Sequence, residues 1–510
     1  MDHERGVDIK WVDCITITGI VFSELGIDIN KNMEPVIGKL ENQLRLWNAQ
    51  TISLIGRSQV IKTFGYSQLR FLSYLMPIPK EIVKQLKTIA FNFLWNGSER
   101  GKVKRKAMIA EIHKGGIKFP DLDTIIMTQH VCWIKRFFFS PYHPWKDIFI
   151  WQLNKIQGIQ ILENASLDTK YIQESTALPF YKNILLSWYE WIKEDIDEHT
   201  VLNQQLYLNR YIMRPNQQSI NYPRLQNKSI AYIKDILSDN YEIIPADRMR
   251  QLKNLNTVEF MQYLSISQCI SVDIKRCIIR CQMNEMHTPI EHSNFDKQKA
   301  ALKTISPKRL YDRLLLRSVE RPSSEGKINQ LSLELTLDEW ESIYKLPFLT
   351  TIESKLRALQ FKINHNIYFT NERLHIIHIS DTPLCTFCKE HTETVEHLFV
   401  TCPHVTSLWN LVCSVLDKTY SIRALSTADK ILGMYQRIDQ PEYDIINHLI
   451  ISIKYYIHIC RHRNNLPNRT DLMEKIKDTA QIEKRIAVRK GKLEIHERKW
   501  RYFLNELMDN

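Results

Sequence analysis

KEIVKQLKTIAFNFLWNG, residues 80–97, places Ile82, Leu86, Ile89 and Phe93 at helical spacing, with Pro77 and Pro79 ahead of it and Gly97 behind it. Apolar residues recurring every three or four positions lie on one face of an α-helix, and the flanking prolines and glycine mark its ends. Upstream, Ile37, Leu40, Leu44 and Trp47 repeat the pattern. Between the two, Ser53 to Met76 reads as a third helix loosened by Gly56 and Gly65. These segments predict a helical bundle over residues 31–97.

Composition carries the reading outward. The 510 residues include only 14 Gly and 18 Pro, about half the usual share. So few breakers disfavour a turn-dense all-β fold or a glycine-cradled nucleotide site and favour long helices. The length suggests roughly two to four domains. Basic residues outnumber acidic ones 69 to 57, a net charge of +12, which matters functionally only where it is clustered.

Residues 1–30 differ from the rest. Cys14 to Phe22 is β-branched and reads as a strand or two. A lone strand or hairpin is not stable by itself, which leads us to expect a remnant of a larger sheet. Residues 98–118 break the helical pattern, with seven Lys/Arg against Glu99 and Glu111. Residues 98–330 are expected to form this basic loop and a helical middle region. Residues 331–415 are expected to form a metal-binding unit, and residues 416–510 a basic helical end. The apolar run Ile445 to Cys460 is interrupted by Asn447, His448, Lys454 and His458, so a buried helix is favoured over a membrane span. The first residues, MDHERGVDIKWVDC, are too charged for a signal peptide. Ten cysteines without a secretory signal point to reduced thiols or metal ligands in a nuclear or cytoplasmic protein.

The strongest chemical signal is Cys385-x2-Cys388, eight residues, His397, four residues, Cys402. Two thiols on a tight turn, with a His and a Cys about one helical turn apart, can close a tetrahedron around zinc. Three thiolates and one imidazole leave no open position, so one structural Zn2+ is expected and no catalytic role. His391 and His404 are alternative nitrogen donors. A second group, Cys277, Cys281, His287 and His292, has its cysteines at i and i+4 among isoleucines, and core thiols are favoured there. PDLD at residues 120–123 could be the acidic end of a nuclease site, but a helix cap is favoured. Neither the P-loop nor the dinucleotide-binding glycine pattern occurs.

Taken in order, GIVFS (19–23), Leu44-x2-Trp47, SLIGRSQVIK (53–62), PIPKEIV (77–83), FLWNG (93–97), GGIKFPDLD (115–123) and the Cys-Cys-His-Cys knuckle resemble one family. The chain is similar to the C-terminal part of LINE-type non-LTR retrotransposon reverse transcriptases. Weaker matches include PFYKNILLSW (179–188), LYLNRYI (206–212) and TIESKLRALQFKINHNI (351–367). The resemblance implies a mainly α fold: a remnant palm-edge strand over residues 1–30, a thumb-like bundle, a helical middle, a zinc knuckle and C-terminal helices. It also implies handling of element RNA and target DNA. Arg57 and Lys62 on the thumb-like helix are then candidate phosphate contacts, as are Lys102, Lys104, Arg105 and Lys106, with Trp95 and His113 nearby for stacking.

No Asp-Asp dipeptide occurs, whereas the family's palm holds its metals with such a pair. The chain is therefore expected to lack both the palm active site and the upstream endonuclease, and to be non-catalytic by itself. Two rival readings are a zinc-stapled interaction scaffold without nucleic-acid binding, and part of an RNA-directed DNA polymerase whose palm is encoded upstream.

Overall fold

The computed structural model describes residues 12–96, 102–283, 294–323, 325, 335–420, 424–440 and 443–508. The fold is mainly α, as the scarcity of breakers predicts. Three short strands, Cys14–Ile17, Ile20–Ser23 and Gly26–Ile27, form one antiparallel sheet. Thr18 and Gly19 link the first two, both at positive φ, which is the twist that a two-residue hairpin loop requires. Asn32, in the first turn of the helix Ile29–Asn48, bonds both the N–H and the C=O of Val21 at 2.9 Å. That side chain satisfies both backbone polar groups of Val21.

The segment Ser53–Met76 is not one helix. Ser53 caps the helix Leu54–Val60, a π-helical turn follows over Ile61–Gly65, then a 3₁₀ turn Tyr66–Leu69 and the helix Arg70–Leu75. Gly65 is the point of close approach, since a Cβ there would stand 3.1 Å from Leu40 Cδ1.

The chain divides into two compact units, each discontinuous in sequence. The first comprises Met1–Pro35, Leu69–Val83 and Asp121–Arg317. One of its cores forms where the helix Leu122–Phe139 meets Pro179–Ile192 and Pro307–Leu315, around buried Trp188 and Trp191. Asp121 caps the first of these helices by accepting the Thr124 N–H at 3.0 Å, so the PDLD carboxylate is a cap. The other core gathers residues 201–281 and includes Cys277 and Cys281, both buried. Cys281 Sγ donates to Glu198 O, as a core thiol does. His287 and His292 lie outside the described residues.

The second unit comprises Val36–Gln68, Lys84–Pro120 and Ser318–Asn510. Its core is built on the helix Asp444–Arg463, which is buried on nearly every face. Around it pack Leu337–Thr350, Ser354–Asn364, Pro403–Tyr420, Arg469–Arg489 and Leu493–Met508. The polar residues interrupting its apolar run each find a partner, as burial demands. Asn447 accepts the Met434 N–H at 2.8 Å, Lys454 donates to Ile431 O at 2.5 Å, and His458 meets the Tyr368 hydroxyl at 2.9 Å. Among the described residues no helix is long and apolar enough to cross a membrane.

Residues 102–119, the described part of the basic segment, fold back on themselves and are not a solvated loop. Lys104 precedes a short helix, Arg105–Met108, and the chain then folds back on it. Ile117 and Phe119 donate to Met108 O, and Lys118 to Ala110 O. Gly116 makes this possible: a Cβ there would lie 2.0 Å from the Ala110 carbonyl oxygen. Backbone cannot yield as a side-chain tip can, so Gly116→Ala should destabilise the second unit by about 3 kcal/mol. A lowered urea midpoint checks this, with Gly38→Ala, which meets nothing within 4 Å, as the control expected to shift little.

Candidate metal centre and basic surface

Cys385 and Cys388 sit on a small hairpin closed by a bridge between Leu384 and Thr392. Cys385 N–H donates to His391 O at 2.8 Å, and Lys389 N–H returns to Cys385 O at 3.0 Å. Lys389 takes up a left-handed conformation to make that turn. Both sulfurs thereby face the same side. The other two donors come from a π-helical turn, His397–Thr401, in which Cys402 N–H reaches His397 O at 2.9 Å. Five residues overshoot an α-helical turn of 3.6, but in an i→i+5 turn they return to the same side. The widened turn brings His397 and Cys402 together.

The result is compact. Cys388 Sγ lies 3.3 Å from His397 Nε2, and Cys385 Sγ lies 3.9 Å from Cys402 Sγ. All four donor atoms fall within 4.8 Å of one another. A tetrahedral zinc with bonds of about 2.3 Å to sulfur needs S···S edges of roughly 3.8 Å, so the donor set fits. Cys385, His397 and Cys402 are buried and Cys388 is half-buried. His391 stacks on His397 from an exposed position, and His404 is exposed; neither belongs to the cluster.

Burial pushes the Cys385 thiol up to about 12 and raises Cys402 as well. Cys388 also meets desolvation, but the amides of Glu390 and His391 and the imidazoles of His391 and His397 outweigh it and draw the thiol down to about 6. Buried thiols that resist ionisation by themselves become thiolates beside a dication. The donor chemistry, three thiolates and one imidazole, points to zinc.

Around the donors lies a second layer of fixed contacts. Thr401 Oγ1 is 3.4 Å from His397 Nδ1, on the side of the ring away from the sulfurs. Leu398, Phe399 and Trp409 are buried, and the Trp409 indole donates to Phe399 O at 2.9 Å. Glu393, fully buried, accepts from Thr386 N at 2.9 Å, from Asn371 N at 2.8 Å and from Arg461 Nε at 2.8 Å. Arg461 comes from the last turn of the core helix Asp444–Arg463 and also reaches Asn371 Oδ1 at 2.9 Å. The hairpin that carries two ligands is thus tied to the core by a buried ion pair. No local spacing in the sequence marks the Glu393–Arg461 pair, since its members are 68 residues apart.

The basic residues fare differently from one another. Arg57 is buried, and its guanidinium donates to Asn48 Oδ1 at 2.5 Å, Phe93 O at 2.8 Å and Asn96 Oδ1 at 2.9 Å. Where the sequence suggests a phosphate contact, its donors instead tie the helix Leu54–Val60 to the end of Lys80–Leu94, because burial obliges them to find protein acceptors. Lys62 is exposed on the π-helical turn. Lys104 and Lys106 are exposed and share Glu320, at 3.7 and 2.8 Å. Arg105 is half-buried, donates to Lys87 O at 3.1 Å and stands over the Phe91 ring. Lys102 stands 4.0 Å from the centre of the Phe369 ring. Trp95 is buried and cannot serve as a stacking platform; His113 is half-buried.

A family described as zinc-binding in reverse transcriptase matches residues 333–409, which contain all four donors. No curated protein matches the chain.

Two outcomes follow from this geometry. Cys388→Ser should abolish metal retention and unfold the knuckle, because in small metal sites binding free energy is folding free energy; metal analysis and near-UV circular dichroism of the purified variant check it. Arg461→Met leaves the Glu393 carboxylate buried and unpaired, and should cost about 3–5 kcal/mol. Adding Glu393→Gln should recover much of that loss in urea unfolding, and no recovery would contradict the pairing.

Proposed function

We propose that the chain is the post-palm, nucleic-acid-binding part of a LINE-type non-LTR retrotransposon reverse transcriptase, engaging element RNA and target DNA. One zinc ion with a closed Cys385, Cys388, His397 and Cys402 shell staples its knuckle. The observation that carries this reading is a zinc-binding region of the reverse-transcriptase type within a chain of net charge +12. Cations on nucleic-acid-binding surfaces release condensed counterions, which supplies sequence-independent affinity.

When bound, zinc contributes a fixed four-way cross-link and no reacting position. The protein's own residues do the rest. Lys62 and the exposed Lys475, Lys477, Lys484 and Arg485 of the helix Arg469–Arg489 offer charges that can follow a phosphate backbone. Lys499, farther along, is nearly buried and donates to Glu483 at 2.9 Å, so it is not offered to a ligand. The reading assigns no polymerase chemistry to this chain, which holds no Asp-Asp pair to bind the metals of nucleotide transfer.

Fluorescence anisotropy with single-stranded RNA and DNA oligonucleotides of several sequences tests the reading. Both should bind with little sequence preference, and log K should fall linearly with log salt, by about 0.7 for each phosphate contacted on a single strand. Binding absent even at low ionic strength would favour a zinc-stapled interaction scaffold. Nucleotide incorporation on a primed template, lost on mutating an acidic residue of this chain, would contradict the non-catalytic assignment.

A further inference from the structure

Lys102, Lys362, His458 and His462 come from three stretches of sequence and gather in the second unit, with no acidic partner among the described residues. The ammonium of Lys102 lies 4.0 Å from the centre of the Phe369 ring. The preceding residue, Tyr368, sets its hydroxyl 2.9 Å from His458 Nδ1, and the rings of His458 and His462 are 4.4 Å apart. Lys362, on the helix Ser354–Asn364, is near enough to Lys102 and to both imidazoles to disfavour a charge on each.

All four groups are pushed toward their neutral forms. For Lys102 the cause is burial and then Lys362; for Lys362 it is burial. His458 is drawn down to about 3 by burial and then by His462, Lys362 and Arg461. His462 is lowered by burial, Arg461 and Lys362. No carboxylate offsets this among the described residues. The nearby Glu393 is buried and held by Arg461. Lys102 and Lys362, each partly desolvated, repel one another until an anion arrives.

The neighbouring basic residues are already satisfied. Lys104 and Lys106 share Glu320, and Arg105 is held by a carbonyl and an aromatic ring. Lys102 has neither an acid nor a carbonyl partner among the described residues. A phosphate matches the vacant chemistry: its oxygens accept from ammonium and imidazole N–H groups, and its charge removes the repulsion.

We propose that Lys102, Lys362, His458 and His462 form a subsite for a backbone phosphate of nucleic acid. This subsite, and not Lys104 to Lys106, is where the basic segment meets its ligand. The inference rests on the nucleic-acid-binding reading above and makes it specific to one corner of the fold.

The test uses the full zinc-loaded chain and a single-stranded RNA oligonucleotide. Lys102→Gln with Lys362→Gln should weaken binding about tenfold and lower the log–log salt slope by about 1.4, two contacts of roughly 0.7 each. Lys104→Gln with Lys106→Gln removes the same charge and should change affinity by less than about twofold, since Glu320 already holds both. Lys102→Arg should bind like the unaltered chain. Should the first pair fail to keep zinc and native circular dichroism, Lys102→Gln alone, at an exposed position, should still lower the slope by about 0.7. Equal losses from both pairs, or no loss from the first while the unaltered chain binds, would overturn the subsite and leave the general reading intact. Failure of the unaltered chain to bind RNA or DNA would overturn both. Inorganic phosphate binding more tightly than the oligonucleotide in calorimetry would reassign the pocket to a free anion.

Discussion

Three sulfurs and one imidazole nitrogen within 4.8 Å of one another set the constraint on which the knuckle depends. Such a cluster cannot hold its ionised form in a buried place without a cation, and burial alone keeps Cys385 and Cys402 protonated. A divalent metal held by these four residues would reverse that balance and cross-link the hairpin to the π-helical turn. The hairpin then presents Glu393 to Arg461, while the π-helical turn and the helix that follows it bring Phe399 and Trp409 to the core. Metal closure, a buried ion pair and helix packing are successive layers, each positioned by the one inside it.

The helix Asp444–Arg463 links these layers to the surface. It supplies Ile446, Leu449, Ile450, Ile453 and Ile457 to the core. Its last turns supply Arg461 to Glu393, and His458 and His462 to the positive corner. An apolar run with a few polar residues is economical for this purpose. The interior tolerates Asn447 and Lys454 because each finds a backbone partner. The helix end can therefore carry charge without exposing the core.

Much of this was legible in the sequence, for identifiable reasons. Leu40, Leu44, Leu86 and Phe93 are buried as helical spacing requires, and the donor spacing from Cys385 to Cys402 marked the cluster that the fold assembles. Asp121 was legible as a cap from the helix beginning directly after it. The break at Ile61–Gly65 was legible only as a loosening, because glycine content says that a helix is weak and not which turn replaces it. Arg57 was misjudged because a basic residue on a helix looks the same whether it faces phosphate or three protein oxygens. The pairing of Glu393 with Arg461, and the gathering of Lys102 with Lys362, His458 and His462, were not legible. They depend on which distant segments the core brings together, and no local period encodes that.

X-ray absorption at the zinc edge of the purified chain reads the donor shell itself. A closed knuckle gives zinc bound by three sulfurs at about 2.3 Å and one nitrogen at about 2.0 Å, with no oxygen in the shell. Protein without zinc, or zinc with fewer sulfurs and a bound water, would contradict it.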